Sequence, residues 1–249
     1  MLILGIESAT LQVGCAIAGH EGVLASFHAA RRRRHVETLV PAIDFTCRQA
    51  GVELHELGAI AVDVGPGLFS GLRVGVTTAK TLAQALRVPV IGVASLDLLA
   101  FRVRHSTRLI VPVIDARRGE LYYALYRQVP GGVQRLSDYQ LGTPEDLTSE
   151  LVARGEDVLL VGDGPLRYSE ELAEGVQGEV GGFDDAHPSA AALVELAHPR
   201  AIREEFTAAS MLEPLYLRRT DAEINWEASA GWGRGPGAAG GDVAGRQAS

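Results

Sequence analysis

The stretch from Ala59 to Val93 reads AIAVDVGPGLFSGLRVGVTTAKTLAQALRVPVIGV, and the arrangement of the whole chain follows from it. Ala59 to Val64 and Val88 to Val93 are short apolar runs rich in β-branched residues, which is typical of buried parallel strands. Between them, apolar residues recur at helical spacing at positions 72, 76, 79, 83 and 86. The stretch therefore predicts a right-handed crossover of strand, helix and strand, with the helix packed on the sheet.

A glycine-rich turn, Gly65-Pro66-Gly67, joins the first run to the helix. Free N–H groups at a helix N-terminus can bind an anion. The turn fails the phosphate-loop pattern because no Gly-Lys-Ser/Thr follows, and it fails the dinucleotide pattern because Ser70 stands where a third glycine is needed. We therefore favour a structural role, in which the glycines let two backbones or a partner chain approach closely.

Length and composition limit the class of protein. A chain of 249 residues with 47% hydrophobic content can bury a sizeable core, and a net charge of −8 argues against nucleic-acid binding by this chain alone. Cys15 and Cys47 are predicted as buried thiols, which suits a reducing compartment. No run approaches the roughly 20 apolar residues of a membrane span, and the N-terminus lacks a basic leader. These features predict a cytoplasmic protein that does not associate with membranes.

The segments before the crossover complete a first lobe. Leu2 to Glu7, Val13 to Ala18 and Val23 to Ala29 are spaced as the strands of a meander. A helix with an apolar stripe is predicted from His35 to Ala50, and Pro41 inside it predicts a bend or a restart. The resulting order β-β-β-α-β-α-β is that of the ribonuclease H-like half of actin-type and sugar-kinase-type proteins.

The remaining segments predict a second, smaller lobe. Strands are predicted at Leu109 to Asp115, Glu120 to Arg127, Val133 to Gln140 and Asp157 to Val161, and helices at 144–152, 188–197 and 200–206. The fold class is therefore α/β, with two ribonuclease H-like lobes of the actin, sugar kinase and Hsp70 type. The predicted domains are 1–103, 104–225 and a glycine-rich tail at 226–249, which is too poor in apolar residues to fold.

The sequence offers few candidate residues for catalysis, metal binding or nucleotide binding. None of the seven histidines has another four residues away, so no metal-ligand pair is predicted on a helix, and no catalytic residue is singled out. The segments after two strands, Glu7 to Thr10 and Asp115 to Gly119, are placed where this architecture holds nucleotide. The run Arg31 to Arg34 is interpreted as a solvated loop. An independent nucleotide-dependent phosphotransferase and a metallopeptidase remain alternatives.

The segment GPGLFSGLRVG at 65–75 resembles the GPGSFTGLRIG signature of the bacterial TsaB (YeaZ) family. LGIESAT at 4–10, DARRGELYYALY from Asp115 and EPLYLRRTDAEI from Glu213 are similar to the same family. The resemblance spans residues 1 to about 226. The family consists of non-catalytic paralogues of the TsaD subunit. It implies a role in making threonylcarbamoyladenosine beside the tRNA anticodon, in complex with TsaD and the ATPase TsaE, with tRNA contacted only through the complex.

The resemblance also implies what this chain lacks. In the catalytic relatives, a Gly-Val-x-His-x-x-Gly-His segment supplies two histidine metal ligands, and here Ser95 and Leu99 occupy those places. Neither side chain can replace an imidazole, so no metal site is expected. No tightly bound cofactor is implied, and ATP or ADP is the candidate ligand at the interface of the complex. The nearest matching positions for such a nucleotide are Glu7, Ser8 and Thr10.

The family pairs through its first domain, with TsaD or as a homodimer, by the glycine-rich turn and the adjoining helices. The resemblance therefore suggests a partner-binding set: Leu68, Phe69, Leu72, Arg73 and Val76. Phe69 suits an aromatic anchor and Arg73 a polar one. Helical periodicity equally allows Leu72 and Val76 to face the sheet.

Overall fold

A computed structural model describes residues 1–30, 35–173 and 176–218. The arginine run at 31–34 and the predicted tail at 226–249 lie outside these ranges. The first sheet contains β1 (Leu2–Glu7), β2 (Gln12–Gly19), β3 (Gly22–Ala30), β4 (Leu57–Gly65) and β5 (Val90–Ala94). Its helices are α1 (His35–Ala50) and α2 (Phe69–Leu86), and α3 (Ser95–Arg102) follows β5.

The first sheet has the strand order β3-β2-β1-β4-β5. The β1-β2 and β2-β3 pairs are antiparallel, and β1, β4 and β5 run parallel. Helix α2 connects β4 to β5, which confirms the predicted crossover. Leu39 and Ile43 of α1 and Val76 and Ala79 of α2 are buried in one core with Ile60 and other residues of the sheet.

Helix α1 runs without interruption through Pro41, so the predicted alternative of a restart is wrong, and the alternative of a bend stays a prediction. The ring of a proline inside a helix costs about 3 kcal/mol. Pro41 is exposed, whereas Leu39, Ile43 and Cys47 on either side of it are buried against the sheet. This apolar stripe holds both halves of the helix on one surface and offsets the local penalty.

The second sheet contains the remaining strands: β6 (Leu109–Arg117), β7 (Glu120–Tyr123), β8 (Tyr126–Val129), β9 (Gly132–Arg135), β10 (Gln140–Gly142), β11 (Val158–Val161) and β12 (Gly178–Val180). Its order β10-β7-β6-β11-β12 repeats the order of the first sheet, and a β8-β9 hairpin pairs with β6. The later helices are α4 (Pro144–Arg154), α5 (Asp163–Arg167), α6 (Ser169–Ala173) and α7 (Ala190–Ile202). The predicted class of two ribonuclease H-like lobes is confirmed.

The strand predicted from Glu120 to Arg127 is divided between β7 and β8. Leu125, between them, donates its N–H to Ser137 Oγ at 3.1 Å, and its carbonyl accepts from Leu136 N at 2.7 Å. The backbone groups of this residue are therefore used outside the ladder with β6. The second predicted strand, Val133 to Gln140, is also divided, because β9 pairs with β8 and β10 pairs with β7.

Helix α7 follows the second sheet along the chain but packs on the first. Its residues Leu193 and Val194 are buried in a core that includes Ile3 and Ala16. The two helices predicted at 188–197 and 200–206 are one helix, Ala190–Ile202. The predicted domain boundary at residue 103 assigns α7 to the second lobe, whereas the helix packs on the first sheet. The boundary itself stays a prediction.

Helix α3 lies between the two sheets. Leu98 packs in the core on the first sheet, and Leu96 and Leu99 pack in the core on the second. The Asp97 carboxylate on the same helix accepts hydrogen bonds from the hydroxyls of Tyr126 at 2.6 Å and Tyr139 at 2.9 Å. The helix therefore joins the lobes by both apolar and polar contacts. Over the described residues, no helix combines the length and hydropathy needed to span a bilayer.

Candidate functional site

Three glycines at the start of α2 allow the turn between β1 and β2 to rest directly on the helix. A Cβ added at Gly67 would collide with the carbonyl oxygen of Ala9. A Cβ at Gly71 would collide with the carbonyl oxygen of Ser8, and one at Gly75 with the Ser8 hydroxyl. The glycines therefore have a structural role, which is the close approach of two backbones within this chain.

Hydrogen bonds fix this contact. Ser8 Oγ donates to the Gly71 carbonyl at 2.9 Å, and Leu68 N donates to the Ala9 carbonyl at 2.7 Å. The Thr10 carbonyl lies 2.7 Å from His35 Nε2, at the first residue of α1. The turn thus ties the N-terminal ends of α1 and α2 to the end of β1.

The predicted nucleotide residues Glu7, Ser8 and Thr10 are all buried, with at most 1% of their surface exposed. Glu7 Oε1 accepts from Ala9 N at 2.8 Å, and Thr10 Oγ1 accepts from Gln12 N at 3.3 Å. None of the three presents a polar group at the surface. The structure therefore gives the nucleotide prediction no support at these positions.

The two positions that match metal-binding histidines of the catalytic relatives also point inward. Ser95 is fully buried and donates to Asp63 Oδ1 at 2.6 Å, while Leu99 lies in the core between α3 and the second sheet. Within residues 1–30, 35–173 and 176–218, no three His, Cys, Asp or Glu side chains converge as metal ligands. The absence of a metal centre from the whole chain stays a prediction.

Buried carboxyl groups follow strands in both lobes. Burial raises the pKa of Asp63, at the end of β4, to about 7, and burial together with Asp63 raises the pKa of Glu7 well above its usual value. In the second lobe, Asp163 Oδ1 accepts from Asp115 N at 2.9 Å, and burial raises the pKa of Asp163 to about 6. Asp115 itself pairs with Arg117 Nη1 at 2.8 Å.

Two of the predicted partner-binding residues belong to the core. Leu72 is 1% exposed and Val76 is 4% exposed. They lie four residues apart, on the face of α2 that packs against the sheet, so their predicted role as contact residues is wrong. Leu68, which precedes the helix, is half-buried.

Phe69 and Arg73 lie on the exposed side of α2. The Arg73 guanidinium stacks over the Phe69 ring, 4.0 Å from its centroid, and 40% of Phe69 is exposed. The Tyr216 ring packs against Phe69 with the centroids 5.3 Å apart, and it is itself 42% exposed. Leu215 N donates to the Val64 carbonyl at 2.7 Å and holds this segment in place. Sequence reasoning did not find Tyr216, because its only signal was its place within the EPLYLRR motif.

Helix α1 also carries exposed apolar side chains. Val36 is 71% exposed and Val40 is 62% exposed. The first turns of α1 and α2 are neighbours, since a Cβ at Gly71 would lie 3.4 Å from His35 Nε2. We call Val36, Val40, Phe69, Arg73 and Tyr216 the α1/α2 face.

An apolar groove that includes Val40 is lined by residues of both helices. It has a volume of about 550 Å³. Its lining includes Val40, Ile43, Cys47, Leu54, Leu82 and Leu86. Val36 and Val40 belong to the apolar stripe of α1 but are exposed, so the stripe is wider than the part that the sheet covers.

Comparison with known proteins agrees with this geometry. The profile of the TsaD family, described as tRNA N6-adenosine threonylcarbamoyltransferase, matches residues 22–226. The tRNA threonylcarbamoyladenosine biosynthesis protein TsaB of Bacillus subtilis is 30% identical over 91% of this chain and 98% of its own length. TsaB of Haemophilus influenzae is 27% identical over 91% of this chain and 96% of its own. The structure of YeaZ from Pseudomonas aeruginosa superimposes with a TM-score of 0.75 at 27% identity, covering 87% of this chain and 99% of that one. This chain therefore belongs to the TsaB (YeaZ) family.

Proposed function

We propose that this chain is a non-catalytic subunit in the biosynthesis of threonylcarbamoyladenosine in tRNA, and that it binds the catalytic subunit TsaD through the α1/α2 face. The pathway is taken from the names of the TsaB relatives. The observation that carries the docking proposal is the exposed cluster of Phe69, Arg73 and Tyr216, and the exposed valines of α1 add to it.

The composition of the α1/α2 face suits a protein interface. Interfaces are enriched in aromatic residues and arginine, and a few such side chains supply most of the binding energy. Arg73 and Tyr216 support the Phe69 ring on two sides, so little side-chain freedom remains to be lost on binding. The first turns of α1 and α2 are also held by the turn between β1 and β2, which packs closely on Gly67, Gly71 and Gly75. The α1/α2 face is therefore a preorganised surface.

The proposal that TsaD, and not this chain, carries out carbamoyl transfer rests on two buried positions. The two positions that would hold the metal-binding histidines are Ser95 and Leu99, and both are buried in the fold. We therefore assign carbamoyl transfer to TsaD, with TsaE and tRNA joining through the complex. This chain is proposed to hold no tight cofactor, with ATP or ADP at the interface of the complex.

Replacement of Phe69 by Ala together with Arg73 by Glu tests the proposal. We expect co-purification with TsaD to fall by at least tenfold, because the loss of a central anchor costs about 2 kcal/mol or more of binding. The thermal transition should hardly change, since both side chains are exposed. Gel filtration of the same variant also tests whether the face supports a homodimer.

Phe183→Ala is the matched control, because Phe183 is 85% exposed and lies outside the α1/α2 face. It should leave co-purification unchanged. Wild-type binding by the double variant would contradict the docking proposal, and a collapsed fold would show that Phe69 and Arg73 are core residues. Calorimetry of the isolated chain with ATP and magnesium tests the non-catalytic assignment, which turnover would contradict.

A further inference from the structure

Two buried carboxyl groups lie side by side where β1 and β4 end. The parallel register pairs Gly5 with Ala61 and Ile6 with Val62, so Glu7 is the neighbour of Asp63. Because side chains alternate along a strand, both carboxyl groups project to the side of the sheet on which α7 packs. Both residues are 0% exposed.

Each carboxyl group has one oxygen with hydrogen-bond donors and one without. Glu7 Oε1 accepts from Ala9 N, and Asp63 Oδ1 accepts from Gly65 N at 2.8 Å and from Ser95 Oγ. Glu7 Oε2 and Asp63 Oδ2 are buried without a hydrogen-bond partner of good geometry, although the Thr10 N–H and the Gln12 side chain lie near the Glu7 carboxyl and lower its pKa in part. Two ionised groups in this arrangement would combine like-charge repulsion with the loss of hydration.

The described part of the chain places no compensating positive charge against the pair. Over the described residues, no Lys or Arg forms an ion pair with Glu7 or Asp63. The charged group that acts on Asp63 from α3 is Asp97, which adds repulsion. The surfaces of α7 near the pair are apolar, at Ala190 and Val194.

Two histidines lie on the adjoining segments. His187, in the segment before α7, has an unpartnered Nδ1, and burial lowers its pKa, so it is neutral at pH 7. His35 of α1 contacts the Thr10 carbonyl. Neither provides a donor to Glu7 Oε2 or Asp63 Oδ2.

We propose that Glu7 and Asp63 form a buried proton-binding site, in which one proton is shared between Glu7 Oε2 and Asp63 Oδ2 at neutral pH. A carboxylic acid donates one hydrogen bond to a carboxylate, so a single proton satisfies both unpartnered oxygens and removes one of the two charges. Burial, which raises the pKa of both groups, acts in the same direction.

The site affects stability with a defined sign. Burial raises the pKa of Asp63 to about 7 and that of Glu7 well above its usual value, so the folded chain keeps the proton at pH values where the unfolded chain has released it. The stabilisation is therefore complete below the unfolded pKa and is lost as the pH rises to about 7. Over that range, the folding equilibrium constant should fall by about tenfold per pH unit for one proton.

Urea unfolding of the full chain between pH 5 and pH 8.5 tests the site, with Glu7→Gln and Asp63→Asn as variants. Each amide supplies a hydrogen to the facing oxygen without titrating. We expect both variants to have a flatter pH profile than the wild type and to be at least as stable at pH 8.5. The histidines are common to all three chains, so they cancel in the difference.

Asp163→Asn is the control, because Asp163 is a buried carboxyl at the matching strand end of the second lobe. Because burial raises the pKa of Asp163 to about 6, its replacement should flatten the profile near and below pH 6 and leave the slope that remains toward pH 7. The variant that combines Glu7→Gln with Asp63→Asn should be less stable than either single variant by at least tenfold in the equilibrium constant. The bonds to Ala9 N and Ser95 Oγ orient both amides so that two NH₂ groups face each other.

Three results would overturn the shared proton. The first is a wild-type free energy of unfolding that does not change between pH 5 and pH 7. The second is a combined variant whose loss of stability equals the sum of the changes in the two single variants. The third is a single variant that does not fold at pH 8.5. The last result would mean that the amide hydrogen has no acceptor at the facing oxygen.

Discussion

Replacement of Gly71 by Ala probes the contact on which the first lobe depends. Gly71 is the third residue of α2, and its carbonyl accepts the Ser8 hydroxyl at 2.9 Å. The added Cβ would lie well under 3.0 Å from the Ser8 carbonyl oxygen, closer than Cβ atoms approach other atoms in folded proteins. Because that oxygen belongs to the backbone, the turn between β1 and β2 must move.

The opposing contributions can be compared. Alanine is favoured over glycine inside a helix by about 1 kcal/mol. Overpacking costs about 1 to 3 kcal/mol, and the weakened Ser8 hydrogen bond costs about 0.5 to 1.5 kcal/mol more. The expected net effect is a loss of about 0.5 to 3.5 kcal/mol in the free energy of unfolding.

Urea unfolding measures this difference, and Ser70→Ala is the matched control. Ser70 is the exposed neighbour on the same helix turn, so its replacement should change stability by no more than about 0.5 kcal/mol. If Gly71→Ala equals or exceeds the wild type in stability, helix propensity has prevailed and the close approach of the turn is refuted.

The remaining predictions concern the two sides of α2 and the contact between the lobes. Leu72→Ala should lower stability by about 2 to 5 kcal/mol, and Phe69→Ala by less than about 1 kcal/mol, as measured by urea unfolding. Equal losses would contradict the division of α2 into core and exposed faces. Asp97→Ala should cost about 2 to 3 kcal/mol, because it leaves the buried Tyr126 hydroxyl without its acceptor, and the cost should shrink in a Tyr126→Phe background. An unchanged cost in that background would contradict the importance of this hydrogen bond.

The elements that sequence reasoning predicted are those specified by local pattern. The apolar runs of β1, β4 and β5 and the helical spacing in α2 each depend on a few consecutive residues, and all four elements lie where the pattern placed them. The repeated strand order of the two sheets then follows from connection lengths and handedness.

The features that were missed depend on contacts between distant parts of the chain. Leu125 leaves its ladder because residues 136 and 137 bond its backbone, and α7 returns to the first sheet after the whole second sheet. Spacing alone could not separate the buried Leu72 from the exposed Phe69, because the side facing the sheet is set by the tertiary fold. The burial of Glu7 likewise follows from the turn that covers it, which no motif encodes.

Hydrogen exchange on the complex with TsaD tests the central proposal most directly. The first-turn amides of a helix have no partner within the helix, so those of α1 and α2 report on anything that covers the α1/α2 face. We predict slower exchange at residues 36–38 and 69–71 when TsaD is bound, and unchanged exchange in α4. Slower exchange confined to the second lobe, with the α1/α2 face unaffected in a formed complex, would contradict the docking surface proposed for this chain.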